Sequence, residues 1–267
     1  FGGGVAIGRL LRLDSQRGDY RRSWENHNLA TLERLRQLDE HPEGERPYLI
    51  VSLGDSSVQG MGASRVTESY PARLASAITQ QMDREVLLLN LSLSGATIES
   101  VELTQLPQMR GLGLLDGPFR PDLVTLTIGG NDVMAEDMAP GQFEERLRRI
   151  LAALPSGALV STIPSFGIMP QESRAQDKSD RIRAAVEDSD AHLVDLRSLT
   201  QEYSLPTYTF AYHAADFFHP NSAAYAKWAQ LFADAWAESR REPAPVVEDA
   251  PQWDMLSARV AQSEYDD

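Results

Sequence analysis

The sequence predicts an α/β protein, a parallel sheet with helices on both faces. Three observations carry this. Five short runs rich in Val, Ile and Leu, at 48–53, 85–91, 123–128, 158–163 and 192–196, have strand length and content. Segments of helical period lie between them, which makes βαβ units and hence a parallel sheet. Small and polar residues (Gly54-Asp55-Ser56, Ser94-Gly95, Gly129-Gly130-Asn131-Asp132) gather just after the first three runs. Parallel sheets place their sites at those carboxyl ends.

Residues 1–46 are polar and Arg-rich, with leucines at 29, 32, 35 and 38 on one helical face. This arm reads as a helix packing on the main domain, ended by His41-Pro42-Glu43-Gly44. The strand at 48–53 follows, then a turn with Ser56 and Ser57 that opens towards a helix, which Ser57 would cap. A helix is expected over 70–82, with Pro71 tolerated in its first turn. The second strand leads to the turn at 94–97, a helix over much of 98–109 and a Gly/Pro-rich loop at 111–121. After the third strand, helix 142–153 has Phe143, Leu147, Ile150 and Leu151 on one side. The fourth strand is stopped by Pro164; a loop at 165–170, a charged helix at 174–187 and the fifth strand follow. An irregular stretch, roughly 200–218, precedes a closing helix at 223–236. Its Tyr225, Trp228, Ala229, Phe232 and Trp236 form a core stripe. The domain thus spans 47–240, and the tail at 241–267, rich in prolines and acids, is expected loosely ordered or draped on the surface.

With 267 residues the chain can bury one sizeable core. A net charge of −14 argues against nucleic acid or an anionic membrane as partner. The absence of cysteine removes disulfides, thiol nucleophiles and cysteine metal sites. No apolar run approaches the ~20 residues of a membrane span. The opening FGGGVAIGRLLRL reads as the tail of a removed signal or anchor, or as an ordinary arm; secretion or the cell surface is slightly favoured. The glycines of 54–62 fit neither a P-loop nor a dinucleotide fingerprint. His27 and His41 have no ligand partners at metal spacing, so no metal and no cofactor are expected.

A serine hydroxyl needs a general base. His219 is the natural one, and Asp216, three residues before it, can hold the other imidazole N–H. An attacked ester carbonyl also needs preorganised donors for its oxyanion. Three lie at strand ends: the N–H of Ser56, the N–H of Gly95 and the side-chain amide of Asn131. Gly95 has no Cβ, so substrate can approach its backbone. Asp55 and Asp132 read as loop braces, His192 as a satisfied strand residue and His213 as a loop residue.

These four stretches resemble the SGNH, or GDSL-type, hydrolase family. Gly54-Asp55-Ser56 is similar to its first block, Gly95 to the second and Gly129-Gly130-Asn131-Asp132 to the G-x-N-D block. Asp216-Phe217-Phe218-His219-Pro220 is similar to the D-x-x-H block. The resemblance spans about 48–236. It implies a three-layer, flavodoxin-like α/β/α sandwich, metal-free ester hydrolysis and the oxyanion donors named above. One departure is Ala223 and Ala224, where many members have glycine.

The expected function is therefore a serine esterase with Ser56 as nucleophile, His219 as base and Asp216 as orienting acid. Its partner would be a small ester, an acylated sugar, lipid or aryl ester, with short acyl groups favoured. Acyl transfer to a sugar or lipid hydroxyl, and a non-catalytic carbohydrate- or lipid-binding module, are the alternatives. Phe166, Met169 and Phe217 are the candidate acyl contacts. The pocket is expected between loops 96–119 and 165–170 and the segment before Asp216. Oligomeric state is not legible.

Overall fold

The computed structural model describes residues 2–40, 45–135, 138–203, 211–214, 216 and 218–256, with side chains from residue 15 onward except Pro140. Helix α1 (Gly2–Glu40) leads into β1 (Tyr48–Gly54), α2 (Tyr70–Met82) and β2 (Val86–Asn90). Helix α3 covers 98–111 and includes a π-helical turn at Val101–Gln105. Then come β3 (Leu123–Thr127), α4 (Gly130–Met134), α5 (Pro140–Ala153), β4 (Leu159–Ser161), α6 (Glu172–Glu187), β5 (His192–Val194), α7 (Leu196–Gln201) and α8 (Ser222–Arg240).

The five strands form one parallel sheet in the order β2-β1-β3-β4-β5. Strand order reverses at β1, leaving a crevice between the carboxyl ends of β1 and β3. Side chains alternate along β1. Leu49, Val51 and Leu53 join Leu126, Phe143, Leu147, Ile150 and Ile182 on one face. Tyr48 and Ile50 join Leu74, Ile78, Tyr225 and Phe232 on the other. On that face Tyr70 of α2 stacks on Phe232 of α8, with ring centroids 4.5 Å apart.

The expected architecture, a three-layer α/β/α sandwich around a five-stranded parallel sheet, is the observed one. Details differ. Helix α1 runs the length of the arm, and its buried face is Tyr20, Trp24, His27, Thr31 and Leu35, whereas Leu29 is exposed. It covers the edge strand β2: Asn28 Nδ2 donates to Asn90 O at 2.7 Å and Asn90 N donates to Asn28 Oδ1 at 2.9 Å. The side-chain amide thus substitutes for the neighbouring strand that an edge lacks.

No helix opens after Ser56. Residues 56–62 form successive turns, with Met61 N donating to Ser56 O and Gly60 N to Ser57 O, and the helix waits until Tyr70. The fifth strand, expected to reach Leu196, ends at Val194, because Asp195 turns its carboxylate onto Ser198 N and caps α7. His192 is exposed on the edge strand and not packed.

Residues 241–256 drape over the body. Val247 and Met255 are buried, Ser76 Oγ donates to Pro251 O and Leu256 N donates to His27 Nδ1. The expected arm terminator at 41–44 and the last part of the tail, 257–267, lie outside the described residues.

Candidate active site

Ser56 stands in the turn after β1, at the switch point of the sheet, and is buried. The turn is held from beneath by Asp55, whose Oδ1 accepts from Ser57 N at 2.9 Å and Ser57 Oγ at 2.7 Å. Ser57 therefore spends its hydroxyl on Asp55 and caps no helix. Burial pushes the Asp55 carboxyl up, and the Ser57 bonds only partly offset it.

Asp216 and His219 come from the loop before α8. Asp216 Oδ1 accepts from Phe218 N and His219 N, each at 3.0 Å. This local turn leaves Oδ2 for His219 Nδ1, 2.6 Å away, and His219 Nε2 lies 2.9 Å from Ser56 Oγ. A carboxylate only accepts, so Nδ1 carries the imidazole proton and Nε2 accepts from the Ser56 hydroxyl. Burial alone would raise the Asp216 pKa. The His219 bond and charge and the two backbone N–H groups outweigh it and bring the carboxyl down to about 2. The loop is closed on itself: Ala214 N donates to His219 O, and Asn221 N to Tyr212 O. Asn221 also caps α8, accepting from Ala223 N and Ala224 N.

Gly95 and Asn131 follow β2 and β3 and are brought together through Ala96, the neighbour of Gly95. Asn131 Nδ2 donates to Ala96 O at 2.8 Å, which fixes the amide and leaves its second N–H free of any bond among the described residues. The N–H groups of Ser56 and Gly95 are likewise uncommitted among them. At Gly95 φ is +81°, and an added Cβ would meet nothing within 4 Å, so this backbone faces open space. Asp132 braces the assembly by accepting from Ile98 N at 3.1 Å through both oxygens. Its burial raises its pKa to about 6, against the pull of that N–H and of Lys178.

Two groups with no sequence signal lock these turns together. Gln59 Nε2 donates to Ser92 O, and its Oε1 accepts from Ser94 Oγ, tying the serine turn to the Gly95 turn; α1 adds Trp24 Nε1 donating to Gln59 O. Gln105, fully buried in the π-helical turn, grips Gly54: its Oε1 accepts from Gly54 N at 2.9 Å and its Nε2 donates to Gly54 O at 2.8 Å.

A cavity of about 70 Å³ opens beside Ser56 and His219, with Phe166, Met169, Tyr203, Tyr212 and Phe218 in its wall. Phe166 packs edge-on to Phe218 at 6.0 Å, and Phe218 edge-on to His219 at 5.1 Å between centroids. Phe166 and Met169 thus both line the cavity beside Ser56. Phe217 lies outside the described residues; its neighbour Phe218 borders the cavity. His213, read as a plain loop residue, also lines it, whereas no described residue of 96–119 does. Among the described residues no group of three His, Asp or Glu is placed to hold a metal.

The model of the GDSL-like Lipase/Acylhydrolase family matches residues 52–227. Solved structures of similar fold include LAE5, an alpha/beta hydrolase enzyme from the metagenome of Lake Arreo, Spain. It is 22% identical, with 73% of this chain and 97% of that chain covered and a TM-score of 0.57. Axe2, an acetylxylan esterase from Geobacillus stearothermophilus, is 18% identical over 71% of this chain and 94% of that one, with a TM-score of 0.55. TesA is 20% identical over 70% and 97%, with a TM-score of 0.54. At these identities the likeness is one of fold. No curated protein matches the chain.

Proposed function

Since the chain belongs to the GDSL-like lipase/acylhydrolase family and is thereby a carboxylic ester hydrolase, we propose that it is a serine esterase working through Ser56, His219 and Asp216 on short acyl esters. The observation that carries this reading is the unbroken hydrogen-bonded series Ser56 Oγ, His219 Nε2, His219 Nδ1, Asp216 Oδ2 at the switch point of the sheet.

In the proposed cycle His219 Nε2 takes the Ser56 proton as the hydroxyl attacks the ester carbonyl. In this reading the oxyanion is received by the N–H groups of Ser56 and Gly95 and the second N–H of Asn131, the kind of fixed donors that such an intermediate needs. His219 returns its proton to the departing alcohol, leaving Ser56 acylated; water activated by His219 then releases the acid. Asp216 stays ionised throughout and stabilises the imidazolium. The cavity beside Ser56, with room for roughly five water-sized groups, supports short acyl chains as substrates.

The test is hydrolysis of p-nitrophenyl esters from acetate to palmitate by wild type and Ser56→Ala, with labelling by a serine-directed phosphonate. Turnover greatest on short chains, abolished in Ser56→Ala, is the expected result. A wild type that neither turns over any ester nor takes the phosphonate on Ser56 overturns the reading. Labelling with turnover only when an alcohol acceptor is added makes the same residues an acyltransferase.

A further inference from the structure

Arg197 is an arginine where arginines are seldom found: it is 1% exposed, at the start of α7, beneath the carboxyl end of β4. Its backbone N donates to Thr162 Oγ1, its Nε to Gln176 Oε1 at 2.7 Å and its Nη2 to Glu172 Oε1. Neither Arg197 nor Glu172 borders the cavity, so neither touches substrate. Glu172 is nonetheless bound to the cavity wall through both oxygens. Oε2 accepts from the backbone N of Phe166 at 2.6 Å, and Oε1 accepts from Ser165 Oγ at 3.1 Å. Ser165 Oγ in turn accepts from Gly167 N, and Ser165 N donates to Thr200 Oγ1, a further wall residue whose hydroxyl donates to α7 carbonyls. The loop ends by joining α6: Glu172 N donates to Met169 O.

Loops at the end of a strand are normally secured by their own backbone turns. Here, beside the loop's own turn from Met169 N to Phe166 O, the buried Arg197 holds the half-buried Glu172 carboxylate against the backbone N–H of Phe166. Burying a guanidinium is costly, and such a pair often adds little to net stability compared with apolar residues of the same volume. What it does supply is a single geometry, because a carboxylate held by Arg197 can accept from Phe166 N and Ser165 Oγ in one placement only.

We propose that the Arg197–Glu172 pair is a positioning device for acyl-chain selection. By fixing Phe166 against Phe218, it holds the cavity wall at the size that admits short acyl groups and turns away longer ones. The inference rests on the esterase reading and deepens it; it gives the pair no part in the chemistry at Ser56.

The experiment measures kcat/KM on p-nitrophenyl acetate and hexanoate for wild type, Glu172→Gln and the double variant Arg197→Met/Glu172→Gln. Glu172→Gln keeps the shape but places an amide N–H against Phe166 N or Arg197. The double variant removes both charges and leaves no buried ion unpaired, which protects folding. The expected result is that the acetate-to-hexanoate ratio falls about tenfold, the size of effect a methylene or two makes in an apolar pocket. The change should fall on hexanoate, with acetate turnover and Ser56 labelling by a methyl phosphonate held near wild type. An unchanged ratio in a folded variant overturns the positioning role. So does a proportional loss on both esters, which marks a merely structural pair. If wild type itself hydrolyses neither ester and is not labelled, the esterase reading falls first and takes this inference with it.

Discussion

His219 Nδ1 lies 2.6 Å from Asp216 Oδ2, although the two residues share one turn and the same carboxylate already accepts two backbone N–H groups through its other oxygen. The acid is therefore built into the loop that carries the base. Its orientation does not depend on a distant element.

Replacing Asp216 by Asn should cost roughly three to four orders of magnitude in kcat, because an amide there favours the wrong imidazole tautomer. The folded-state pKa of Asp216, about 2, lies below its unfolded value. Its stabilisation is thus whole above about pH 4 and is lost as pH falls through about 2. Denaturant titrations at several pH values should show the gap between wild type and Asp216→Asn narrowing by about 2 kcal/mol on acidification. A gap that stays constant would contradict the assignment of its charge.

Asp132 has the opposite sign. Its folded-state pKa, about 6, is raised, so the strain of its buried charge is absent below about pH 4 and develops as pH rises through about 6. Relative to wild type, Asp132→Asn should gain about 3 kcal/mol between those limits. Thermal melts across that range, run in parallel on both proteins, measure it.

Gly62 has φ of +91°, and a Cβ there would lie 2.4 Å from Pro220 O and 3.1 Å from His219 Cβ. Gly62→Ala must push the base away from Ser56. A displacement near 1 Å costs roughly a hundredfold in rate, so kcat should fall by that order while circular dichroism keeps the native helix signal. An active Gly62→Ala would mean that the His219 loop moves without penalty.

Gln105→Leu should lower stability by about 2 kcal/mol, since the Gly54 N–H loses the side-chain acceptor that Gln105 gives it in a fully buried site. Urea unfolding reads the change. Gly54 O is less affected, because it also accepts from Leu93 N.

Much was legible from residue patterns alone. The five strands and the parallel sheet follow from apolar periodicity. Ser56, Asp216 and His219 stand out as residues to be brought together because Ser56 lies just past a strand end, His219 and Asp216 share a three-residue spacing before the last helix, and all three sit in blocks that resemble the GDSL-type family. Such features are local, and local chemistry is written in consecutive residues. The spacing from Asp216 to His219 could be read for the same reason, since one turn contains the whole interaction. Other elements depended on contacts between distant parts of the chain. The buried face of α1 is Tyr20, Trp24, His27, Thr31 and Leu35, with Leu32 and Leu38 partly buried beside it. Of the leucine series only Leu29 faces out, and the aromatic and polar members of the face lie outside that series, because the helix is placed by Asn28 pairing with Asn90, 62 residues away. The grip of Gln105 on Gly54, the bridge from Gln59 to Ser92 and the burial of Arg197 against Glu172 likewise have no signature along the chain. A glutamine or arginine looks the same in sequence whether it meets water or a buried backbone amide. Only the packed sheet, by removing water from those backbone groups, decides which side chain must satisfy them.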